Sequence, residues 1–262
     1  MAQSNYTEEM LEEAKAYLRD RLRNQQSMSR RIEEVLSLYA EYLLNALFSS
    51  LGGSVDNDIE LLVNDLIEQI YNDCILLAED EHDRKELIFA YINRDIEGDN
   101  LRGRISKRVH TYANEVMAVY ASGKALGQNY ETILSSIKGS LNDPWNNPIL
   151  VAARTEVERG TITITDEVSI DEPSYGQGIA ISSLKALDLM TEHAIAEGWM
   201  HWLYLDKKDA GSKGYYVFRS SSIPCDICDE NVGIFWPIED TIHLPPFHPH
   251  CVCFIVYDVE RL

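Results

Sequence analysis

Cys225-Asp-Ile-Cys228, followed by Pro245-Pro246-Phe-His248-Pro-His250-Cys251-Val-Cys253, decides how the end of this chain folds. Four of the five cysteines of the 262 residues fall in these two tight pairs, separated by 22 residues, with His243, His248 and His250 close by. Two sulfurs spaced this closely can converge on one ion, and a second pair brought beside them completes a tetrahedral cage. Ile223-Pro224 leads into the first pair, a turn whose backbone amides can point at the sulfurs. Cys251 and Cys253 are two apart, and in an extended strand such residues share a face. His248 lies three residues before Cys251. Five candidate ligands thus contend for four places. Cys225, Cys228 and Cys251 rank first, and His248 and Cys253 compete for the fourth.

Two disulfides are the alternative, and they require an oxidising compartment. Reduced cysteines packed as small apolar groups leave the pairing unexplained. A sulfur-rich set is normally closed and structural, whereas a catalytic zinc keeps an open position beside a general base. Glu239, Asp240 and His243 offer base candidates, but the segment reads as a solvated turn. Short strands at this end bury little surface by themselves. Zinc binding contributes roughly 10–16 kcal/mol in zinc-finger peptides, enough to hold such a segment folded.

Upstream of this ribbon the pattern is helical. Apolar residues recur at Leu11, Ala14, Leu18 and Leu22, then at Ile32, Leu36, Tyr39, Leu43 and Leu44, predicting a helix over 7–49 with Thr7 as its cap and a soft spot at Gln25–Ser27. Further helices are expected over about 57–79, 84–95, 100–125, 129–141 and 148–159. Pro148 suits the first turn of the last of these. Thr161-Ile-Thr-Ile-Thr165 alternates with period two and predicts a strand. A helix over 179–197 closed by Gly198 follows, then short strands at Trp199–Leu205, Tyr215–Arg219, Gly233–Trp236 and Cys251–Tyr257. The expected fold class is α+β. A mostly helical domain, 1–147, precedes a small α+β domain, 148–262, with short antiparallel strands and a zinc-stapled C-terminal ribbon. Cys74, among apolar neighbours at helical spacing, reads as a small core residue.

Composition is that of an ordinary globular chain, 45% hydrophobic and 25% charged. No apolar run approaches the ~20 residues that span a bilayer. The first residues lack a basic stretch followed by an apolar one, so no secretory signal is expected. Net charge is −20, evenly spread: residues 1–150 carry 15 basic and 25 acidic side chains, residues 151–262 carry 8 and 18. Broad coating of DNA relies on cations and is disfavoured. The basic stretches at Arg19–Arg23, Arg30-Arg31 and Arg102–Arg108 have acidic neighbours and read as solvated helix faces. Residues 225–253 contain no Lys or Arg, while Asp226, Asp229, Glu230, Glu239 and Asp240 are acidic. Direct phosphate contact by this ribbon is not expected.

The order Cys225-x-x-Cys228, Gly233, Trp236-Pro237, then Pro245-Pro246-x-His248-Pro249-x-Cys251-x-Cys253 resembles the terminal motif of the phage head morphogenesis family, the Mu F-like minor head proteins. An upstream helix motif of that family is matched by Arg154-Thr155-Glu156, and its Trp by Trp199 or Trp202. Val252 stands where the family carries an Arg. The resemblance covers about 148–257. It implies a minor structural protein of a tailed-phage virion, incorporated in the head during assembly in the host cytoplasm and associated with the portal protein and with capsid or scaffold proteins. It also implies a link to DNA packaging or ejection, and no defined enzyme activity. Contact with packaged DNA would not run through a basic surface, and no membrane is involved. Arg154 and Glu156 could present a charged pair to a partner, or Arg154 could tie its helix to the β region. The runner-up function is a metal-dependent nuclease of the His/Cys type, using His243 or His250.

Overall fold

The computed structural model describes residues 8–49, 55–75, 82–96, 98–165, 181–219, 223–248 and 251–257. Within these residues the chain is α+β. The helices are α1 (Glu8–Ser49), α2 (Val55–Ile75), α3 (His82–Ile92), α4 (Leu101–Ala125), α5 (Tyr130–Gly139), α6 (Pro148–Glu158), α7 (Ser183–Asp209) and the one-turn α8 (Asp226–Asp229). The strands are β1 (Gly214–Phe218), β2 (Phe235–Pro237) and β3 (Phe254–Tyr257). No described helix is long and apolar enough to cross a membrane.

Two compact units form. One takes residues 1–28, 68–101 and 189–262, the other 29–67 and 102–188. The boundary expected between 147 and 148 falls inside the second unit.

The second unit is helical. Ile32, Leu36, Leu43 and Leu44 of α1 are almost fully buried, as are Val63 of α2, Ile105 and Val109 of α4, and Ile133 of α5. This is the helical-period stripe of the sequence turned inward. The Tyr112 hydroxyl donates to the Leu36 carbonyl at 2.9 Å. Asn147, fully buried, caps α6 by accepting from the Ile149 amide at 2.9 Å, and its own amide donates to the Ser136 carbonyl and the Ser140 hydroxyl. Pro148 takes the first helical position as expected.

The first unit holds the sheet. β1 is central, with β2 and β3 antiparallel on its two edges. Tyr215 pairs with Trp236 on one side and Tyr257 on the other. Gly214 is required where β1 meets β2: a Cβ there would sit 2.2 Å from the Trp236 carbonyl oxygen. Tyr215, Val217, Ile255 and Val256 form the core with Met200 and Tyr204 of α7. In the same unit α3 packs on α7. Tyr91 stacks on His201 with centroids 4.0 Å apart, and Arg94 donates to Glu197 at 2.5 Å.

Several expectations need correction. The helix expected over 7–49 is not among them, for α1 runs unbroken through Gln25–Ser27. Thr161–Thr165 alternates in exposure, yet it forms no strand, because no described segment pairs with it. Trp199–Leu205 is not a strand: α7 continues through a buried Gly198 to Asp209. A helical glycine costs only about 1 kcal/mol relative to Ala, less than burying Met200 and Tyr204 returns. β3 begins at Phe254, so Cys251 and Cys253 precede the strand rather than lie in it. Thr7 and the side chain of Cys74 lie outside what the structure describes.

Candidate metal centre

The two cysteine pairs are brought together by β1. On one side the parallel bridge Val217–Val232 and the bond from the Gly233 amide to the Val217 carbonyl, 2.9 Å, fix the chain just after Cys228. Gly233 has φ +77°, the left-handed conformation that lets the chain turn from α8 towards β2. On the other side Phe218 pairs with Phe254, which fixes the chain just after Cys253. Arg219, at the end of β1, forms an ion pair with Asp229 of α8 and donates to the Ile223 carbonyl. A single strand therefore sets the position of both halves of the motif.

The local turns aim the sulfurs. Cys225 precedes α8 in an extended conformation, and its carbonyl accepts from the Asp229 amide at 2.8 Å. The Cys228 carbonyl accepts from the amides of Asn231 and Val232. The Cys251 amide donates to the His248 carbonyl at 3.0 Å, a turn that folds His248 back over the cysteines. Pro245-Pro246 is a cis peptide, and both prolines are buried.

Five donors converge. His248 Nε2 lies 3.2 Å from Cys225 Sγ and 3.1 Å from Cys228 Sγ. Cys228 Sγ lies 3.7 Å from Cys251 Sγ. The donors group as two triads sharing Cys228: Cys225, Cys228 and His248, and Cys228, Cys251 and Cys253, each with its atoms within 4.8 Å of one another. All four cysteines are free thiols. Cys228, Cys251 and Cys253 are buried, while Cys225 and His248 are half-buried. The set could hold a metal ion. Tetrahedral coordination at Zn–S ≈ 2.3 Å and Zn–N ≈ 2.0–2.1 Å puts donors about 3.5–3.8 Å apart, close to the spacing found.

The electrostatics prepare the site for a cation. The backbone amide of Cys228 holds the Cys225 thiol below its ordinary value. The neighbouring Cys253 thiol holds Cys251 down to about 5. Burial pushes Cys228 up to about 12, and its partnership with Cys251 pushes Cys253 far up. One sulfur from each pair is thus eased towards the thiolate, and a bound cation deprotonates its ligands outright.

The same unit holds an arrangement that the sequence reads as a solvated turn. Asp240 does make a turn, accepting from the amides of Ile242 and His243. His243 Nδ1, however, is 2.9 Å from each Asp240 carboxylate oxygen, and the ring lies flat on Trp236, centroids 3.5 Å apart at 6°. The Tyr215 hydroxyl donates to the Asp240 carbonyl. The spacing Asp240-x-x-His243 after Trp236-Pro237 was the available signal. His250 lies outside the described residues.

Arg154 and Glu156 belong to the second unit, and the cluster belongs to the first. Arg154 donates to the Trp145 carbonyl at 2.8 Å, tying α6 to the turn before it. Glu156 accepts from Arg159 and from the Thr161 hydroxyl, a local clasp at the end of α6. No family model, curated protein or solved structure matches the chain.

Proposed function

We propose that the chain is a minor head protein of a tailed phage, built into the head near the portal and acting through its surfaces, with a structural zinc stapling its C-terminal ribbon. One observation carries the reading. The residues that make up the family-like terminal motif, Cys225, Cys228, His248, Cys251 and Cys253, are those whose donor atoms converge. The motif's spacing thus has a physical purpose in this chain. Zinc is the metal of choice because three or four thiolates with at most one imidazole in a tetrahedral set suit it over harder ions. A closed set of this kind stabilises rather than catalyses. The acidic charge fits a protein that faces basic protein surfaces and is not trapped on packaged DNA. Reconstruction of purified virions or procapsids tests the assignment. The expected result is density for this chain, in few copies, inside the head at the portal vertex. Particles that lack the chain would overturn it.

The second reading, a metal-dependent nuclease, is favoured by one feature: the Asp240 carboxylate orients His243 as it would a general base. The absence of Lys and Arg from 225–253 counts against it, since phosphate would meet no cation there. DNA cleavage with magnesium that disappears in His243→Ala would favour this reading over the first.

A further inference from the structure

We infer that the centre gives a metal three fixed sulfurs, Cys225, Cys228 and Cys251, and two interchangeable fourth donors, His248 and Cys253. The inference rests on the metal-centre reading above and deepens it.

The argument is geometric. Cys228 is the vertex common to both triads. His248 Nε2 packs against it and against Cys225, at 3.1 and 3.2 Å. Cys253 packs against it and against Cys251, within 4.8 Å of both sulfurs. Each candidate therefore lies close to two of these three sulfurs, His248 along the Cys225–Cys228 edge and Cys253 along the Cys228–Cys251 edge. Four-coordinate zinc takes one of them at a time. The backbone favours neither. Cys253 is held by the register of β3 on β1, through Phe254 and Phe218. His248 is held by the turn that bonds its carbonyl to the Cys251 amide. When Cys253 replaces the imidazole, its S–H bond breaks as the sulfur binds the metal and the proton passes to the released ring nitrogen of His248, so no further reactant is needed. The two forms differ by one unit of charge at the metal, one with three thiolates and an imidazole, the other with four thiolates.

The full-length chain loaded with zinc, and separately with cobalt(II), tests this. Expected is about one metal per chain in His248→Ala and in Cys253→Ala, with affinity reduced by about 10–100-fold in each, and loss of metal in the double variant. The cobalt charge-transfer band should strengthen in His248→Ala, where four thiolates bind, and match a three-sulfur site in Cys253→Ala. Loss of metal in one single variant but not the other would overturn the inference, as would a double variant that keeps its metal. The wild-type chain loaded with cadmium-113 gives a reading independent of variant folding. Two resonances, or one exchange-broadened resonance between the three- and four-sulfur positions, support the inference. One sharp resonance at either position overturns it. Wild-type chain that binds none of these metals would instead remove the metal reading itself.

Discussion

Cys228 Sγ and Cys251 Sγ lie 3.7 Å apart although they are 23 positions apart in the sequence. That is about the edge of a tetrahedron of sulfurs around zinc, roughly 3.8 Å, and it is the contact through which the two halves of the motif become one centre. Cys228→Ser breaks the vertex common to both donor triads. The expected result is a chain without zinc whose melting temperature falls by about 10 °C or more, since losing a structural metal costs several kcal/mol. Calorimetry with and without added zinc checks this, and zinc should stabilise the wild type but not the variant.

Asn147 is the polar hub of the second unit. It accepts from two amides at the start of α6 and donates to Ser136 and Ser140. Asn147→Ala removes a helix cap and leaves buried polar groups unpaired. A loss of about 2–4 kcal/mol is expected, measured by urea unfolding. Asn147→Asp keeps the cap but loses the donated bonds, and should fall between the two.

Glu115 is a buried carboxyl that accepts from the Ser183 hydroxyl at 2.8 Å. Burial pushes its pKa up to about 7, against which the bonds from Ser183 and the charge of Arg108 pull only partly. The folded state therefore holds this proton more tightly than the unfolded chain, where the group ionises near 4.5. Its contribution to stability is fully present below pH ~4.5 and is lost as pH rises through about 7, an effect on the order of 1–3 kcal/mol. Glu115→Gln, which mimics the neutral form, should flatten the fall in stability between pH 5 and 8 relative to wild type. Unfolding curves across that range check the sign.

Gly214 allows β1 to lie against β2. A Cβ at this position meets the Trp236 carbonyl at 2.2 Å and the Phe235 ring at 2.4 Å, and backbone cannot yield as a side chain does. Gly214→Ala should cost about 2–4 kcal/mol and loosen the β1–β2 edge. Faster amide exchange at Phe235 and Trp236 than at the β3 edge is the expected readout.

The helical half was legible because its stripes repeat at the helical period, and α4, α5 and α6 begin and end within a few residues of the expected 100–125, 129–141 and 148–159. The error at Trp199–Leu205 came from reading Gly198 as a stop. The aromatic run after it suits a strand, but its partners are α3 residues such as Tyr91, distant in sequence, and their burial outweighs local preference. Thr161–Thr165 failed for the reverse reason, a good strand pattern with no described segment to pair with. At the site, cysteine spacing was enough to name the five donors. It could not show that β1 gathers them, because that depends on Val217 and Phe218 pairing with residues 15 and 36 positions away. The stacking of His243 on Trp236 was hidden for the same reason.

Elemental analysis of the full chain, purified under reducing conditions and without added metal, bears most directly on the account. About one zinc per chain, released together with the reactivity of Cys225, Cys228, Cys251 and Cys253 towards alkylation, is the expected result. A folded chain that carries no metal, with those four thiols alkylated freely or joined to one another as disulfides, would contradict it.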